Sequence, residues 1–144
     1  MINNKLYIVT HNELSSGFQA AQIAHAIADF SKHHTAEFLE WHNNSNYIVI
    51  LETKNLAELQ ELTIKANQQN FQIITVEEPD IADELTVMLF IPNENNRKFL
   101  ANLPCLGKND KKQEIIKERK NNHLLTQMVA KPTNYVKEQT NYGY

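Results

Sequence analysis

One cysteine, three glycines and the lack of any long apolar run limit what this chain of 144 residues can be. A single thiol, Cys105, excludes an internal disulfide framework and fits a reducing compartment. No apolar stretch approaches the roughly 18 residues of a membrane span. The start, Met1-Ile2-Asn3-Asn4-Lys5, lacks the apolar segment of a secretion signal. A cytoplasmic protein with no membrane partner is therefore expected. Glycine is too scarce for a phosphate-cradling loop, and Ser15 and Ser16 lack the flanking glycines of a nucleophile elbow, so both read as helix caps. His33, His34 and His42 have no cysteine or paired carboxylate to complete a tetrahedral set, so neither metal nor cofactor is expected.

What is present is 42% hydrophobic residues, enough for one domain of ordinary size. The net charge of −3 is unevenly spread. Residues 1–107 carry 6 Lys/Arg against 13 Asp/Glu, whereas residues 108–144 carry 8 against 4. An acidic body argues against a large nucleic-acid footprint, while a basic tail can supply one or be solvated. The expected division is a domain at 1–107 and a basic C-terminal extension at 108–144.

Strand-like and helical patterns alternate over the first 92 residues. Lys5–Thr10, Tyr47–Leu51, Phe71–Val76 and Leu85–Ile91 are short, β-branched apolar runs. Ser16 with Gln19, and Asn55 with Glu58, have the spacing of capping pairs that open helices ending near Ser31 and Gln69. A shorter helix, capped by Thr35, includes Trp41. Helical crossovers make the first three strands parallel, and residues 77–84 are too few for a third crossover, so the last strand runs antiparallel to the third. The expected fold is α/β: a small mixed four-stranded sheet of three parallel strands and one antiparallel strand. Helices cover both faces, and a C-terminal helical or disordered extension follows. In that extension Lys111–Lys131 has an amphipathic pattern with Ile115, Ile116, Leu124, Leu125, Met128 and Val129 as apolar contacts. Residues 133–144 show no strong period.

The segment from Ser15 to Ala26 is the most informative. Its helix is apolar almost all round, and the exceptions Gln22, His25 and Asp29 fall within about 60° of one another, with Phe18 on the same stripe. Bare burial of such groups costs about 1–3 kcal/mol each, so they need partners or a ligand. Ser15, Ser16 and Gly17 at the positive helix end suit an anion such as phosphate. Three carboxylates, Glu77, Glu78 and Asp80, converge on the same end of the sheet, where crowding suits acid–base work.

The ordered set resembles the peptidyl-tRNA hydrolase II family. Gly17, then Ala21-Gln22, then His25-Ala26 lie along the first helix, and Thr86-Val87 followed by apolar residues to Pro92 closes the last strand. The likeness covers about residues 5–106, with Glu78-Pro79-Asp80 and Leu103-Pro104 closest to a divergent bacterial branch. Phe18 stands where the family has lysine, and a short glutamate-rich segment replaces its Asp-Ala-Gly-Arg-Thr loop. The resemblance implies hydrolysis of the ester in peptidyl-tRNA, with tRNA as substrate partner. It implies Gln22 as donor to the carbonyl oxygen, Thr86 as its hydrogen-bonding neighbour, Glu78 or Asp80 to position water, and Ser16, Gly17, Phe18 and Glu77 around the substrate. His25, a turn deeper, reads as a link from helix to sheet or as a base. The other reading is a non-catalytic member that binds a tRNA end or a protein partner in the same cleft. The apolar residues of the extension leave room for a homodimer.

Overall fold

Leu6–His11 forms strand β1, and all six of its residues are buried. A strand buried along its whole length must be covered on both faces of its sheet. Leu6 and Ile8 enter one apolar core and Tyr7 and Val9 the other, as the two-residue period of a strand dictates. The structure, a computed structural model, describes residues 4–108 and 112–129, with side chains in the latter stretch described at 117–125. The chain divides into two compact units, Met1–Leu106 and Gly107–Tyr144.

In the first unit β1 leads to α1 (Ser16–His33), α2 (Thr35–Asn44), β2 (Ile48–Thr53), α3 (Leu56–Gln68) and β3 (Ile73–Glu78). A single 3-10 turn, Pro79–Ile81, then leads to β4 (Glu84–Phe90) and a short α4 (Asn96–Phe99). Sheet order is β2-β1-β4-β3. β1 pairs with β2 in parallel, and β4 is antiparallel to both β1 and β3. The first three strands thus point the same way, but only β1 and β2 form a parallel pair, because β4 inserts between β1 and β3. This corrects the parallel trio expected from the crossovers. The burial of the two strands matches the insertion. Six of the seven residues of β4 are buried, which only a central position allows, whereas β3 exposes Thr75 and Glu77 and suits an edge.

The path reverses after β2, which puts the helices before and after it on opposite faces. Ile23, Ala26 and Phe30 of α1 and Trp41 of α2 pack with Leu6, Ile8, Val87 and Leu89. Leu59 and Ala66 of α3 pack with Tyr7, Val9, Met88 and Phe90. The free edge of β2 is covered where Glu52 N–H donates to the Pro104 carbonyl and Leu106 N–H to that of Ile50.

The second unit holds α5 (Lys112–Val129), on which Leu124 and Leu125 are exposed. Ile115, Ile116, Met128 and Val129, the other expected contacts, lie on α5 outside the residues whose side chains are described, and the stretch 133–144 lies outside the described residues. No helix among those described is long and apolar enough to cross a membrane.

Candidate active site

The site forms where β4 breaks its pairing. Val76 faces Val87 and Glu77 faces Leu85, which leaves Thr86 as one extra residue, a β-bulge. Leu85 packs on the α3 side and Val87 on the α1 side. Thr86 joins Val87 on the α1 side, where its hydroxyl lies 3.0 Å from Gln22 Oε1 and 3.0 Å from the Val76 carbonyl. The Thr86 carbonyl accepts from the Thr10 hydroxyl at 2.9 Å. The Thr86 carbonyl and hydroxyl and the Val76 carbonyl are thereby paired, as burial demands.

Gln22 is 3% exposed, and its amide spans two partners. Nε2 donates to Glu78 Oε2 at 2.7 Å. An ionised carboxylate only accepts, so the amide nitrogen must face Glu78 and the amide oxygen must face Thr86. One Nε2–H is left for a further acceptor. Glu78 caps the 3-10 turn, accepting the Asp80 N–H on Oε1 at 3.3 Å, and it is only partly buried. A carboxylate with free lone pairs and an oriented N–H therefore stand together at the surface end of a buried hydrogen-bond chain.

The start of α1 differs from the sequence reading by one residue. Ser15 is the N-cap, accepting the Phe18 N–H at 3.3 Å, and Ser16 is already helical. Gln19 is buried instead of completing a capping box, and its Nε2 donates to the His11 carbonyl at 3.0 Å. Ser16 and Gly17 are exposed and Phe18 half-buried. A Cβ on Gly17 would meet nothing within 4 Å, so the chain's own packing does not require glycine there.

The polar stripe is only partly assembled. His25 is exposed and has no hydrogen bond among the described residues, so it does not link α1 to the sheet. Ala20, Ala21, Ala24 and Ala28 are exposed as well, so the helix that is apolar almost all round in sequence is not buried all round. Alanine favours helix wherever it lies, so its presence says little about which face is inside. Asp80 contributes its backbone to Glu78 while its side chain is exposed. Glu77, one residue from Glu78, is exposed on the other side of the hairpin and lines a groove against α3 with Thr75, Leu56 and Ile81. Sequence reasoning missed Thr10, His11, Gln19 and Glu84. The available signal was the pair Thr10-His11, polar residues that end an otherwise apolar central strand.

Among the described residues no group of His, Cys, Asp or Glu is arranged to hold a metal ion. Fold and site together define a mixed α/β domain in which a helix-borne amide, a bulge hydroxyl and a turn carboxylate share one hydrogen-bond chain. A model of the family Peptidyl-tRNA hydrolase PTH2 matches residues 2–104, and the chain belongs to that family. No curated protein matches it.

Proposed function

We propose that the protein hydrolyses the ester joining a peptide, or a related N-blocked acyl group, to the terminal ribose of tRNA, and so releases free tRNA. The family match supports the reaction class. The observation that carries the assignment of roles is the Gln22 amide held between Thr86 and Glu78. Glu78 takes a proton from water as the water oxygen attacks the acyl carbon. The free Nε2–H of Gln22 donates to the carbonyl oxygen as it becomes an oxyanion, already oriented by its two partners. The acyl C–O bond then breaks, and the proton held by Glu78 passes to the departing ribose oxygen. Ser16 and Gly17 offer backbone N–H groups at the positive end of α1 to a tRNA phosphate.

Phe18 brings no charge to this arrangement and packs or stacks where the family's lysine would face an anion. The purified protein is tested on N-blocked aminoacyl-tRNA, with release of free tRNA as the expected result. Phe18→Lys should raise the rate by about 30- to 150-fold, the effect of one charge-assisted contact worth about 2–3 kcal/mol. A folded protein that binds tRNA and cleaves no acyl-tRNA in either form would overturn the reading in favour of a binding role.

A further inference from the structure

His11 is 1% exposed, and the chemistry above does not use its side chain. It is nevertheless a junction. Its carbonyl takes the Gln19 amide of α1 at 3.0 Å, it faces Thr53 of β2 in the parallel register, and its imidazole Nε2 lies 3.3 Å from Glu84 Oε2. Because the carboxylate only accepts, Nε2 carries the proton and donates. The other ring nitrogen, Nδ1, is buried without a hydrogen-bond partner. Glu13 Oε1 stands 4.0 Å from Nδ1 and already accepts the Leu56 N–H at 2.7 Å. A buried imidazole with one nitrogen unpaired is a poor filler compared with an apolar side chain of its size. What distinguishes it from such a filler is the contact with Glu84.

Glu84 opens β4 and is the register partner of Glu78 across the hairpin. Between them the chain passes through Ala82 and Asp83, both at φ 57°. Two consecutive non-glycine residues in the left-handed region do not hold a turn by backbone preference. Among the described residues, His11–Glu84 is the one side-chain hydrogen bond that ties Glu84, the first residue of β4 after the turn, to another element, the next ties being those of Thr86 two residues on. We propose that His11 is a positioning residue. By holding Glu84 it fixes the turn between β3 and β4, and with it the Glu78 carboxylate that faces Gln22. The inference rests on Glu78 serving the hydrolytic site, and His11 itself touches no substrate.

The test compares His11→Gln, whose amide nitrogen reaches about where Nε2 sits, with His11→Leu, which fills similar volume without a donor. Glu84→Ala and the Leu/Ala double variant complete a cycle. Glu84, at 27% exposed, keeps the experiment decisive should His11→Leu lose its fold. Amide exchange at residues 80–85 gives a readout independent of activity. His11→Leu and Glu84→Ala should each speed that exchange about tenfold, the double variant no further, and His11→Gln less than about twofold. With N-blocked aminoacyl-tRNA, the first two should lower kcat about tenfold and leave KM within about twofold, and His11→Gln should restore kcat. Wild-type exchange in both His11→Leu and Glu84→Ala, failure of His11→Gln to restore protection, or additive single effects would overturn the proposal. If the wild-type protein cleaves no acyl-tRNA, the functional reading fails, and the exchange cycle still decides whether His11 holds the turn.

Discussion

Glu77 and Glu78 are neighbours in β3, yet they belong to different surroundings. Glu78 meets the buried amide of Gln22, at the end of a chain that runs back through Thr86 to Thr10. The Glu77 carboxylate has no hydrogen bond among the described residues and lines a groove of about 540 Å³ beside α3. The difference comes from burial. Under α1 polar atoms are taken from water, so each must find a fixed partner and all become oriented. Beside α3 the carboxylate stays in water, which accepts any orientation. Fixed orientation is thus present on one face of the hairpin and absent one residue away.

The sharpest way to break this contrast is to exchange the two glutamates' fates by mutation. Glu78→Ala should lower kcat for N-blocked aminoacyl-tRNA by about 10²- to 10³-fold, and Glu77→Ala should stay within about twofold. Equal losses measured under steady-state conditions would erase the distinction. Next in size is a change that touches only packing under α3. Leu59→Ala, at a fully buried position, should cost about 2–5 kcal/mol of stability in urea unfolding. The folded fraction should keep its kcat within about twofold.

Thr86→Val tests whether the bulge hydroxyl both stabilises and orients. Val76 and Gln22 would lose the single O–H donor they share in a buried place, for about 1–2 kcal/mol of stability, and kcat should fall about tenfold as the Gln22 amide loses its fixed direction. A stability loss with unchanged kcat would make Thr86 purely structural. The smallest effect is expected at Gly17. Gly17→Ala should raise stability by about 0.5 kcal/mol, since an added Cβ meets no atom of the protein. A rise in KM of about threefold in the same variant would show that substrate comes close to that backbone.

Much of the fold was legible along the chain because its signals are local. The Asn55–Glu58 pair caps α3 as its spacing suggests, with the Glu58 N–H bonded to Asn55 Oδ1 at 2.9 Å. The apolar runs mark all four strands, displaced by one or two residues at their ends. Gln22 stands out in the sequence because a polar group on an apolar helix needs a partner. His25 stands out on the same ground and is solvated, because a helical wheel gives relative angles and not the side on which the sheet will lie.

The sequence by itself therefore determined the order of strands and helices and the antiparallel return after Glu78. Each follows from periodicity, capping or the length of a connection, and these act over a few residues. Only the tertiary structure decided that β4 would lie between β1 and β3, that Thr86 would bulge, and that Glu78 would meet Gln22. The reason is register. A strand's side chains alternate, so one extra residue at a bulge reassigns which groups face which helix, and that shift is set by how distant strands pair.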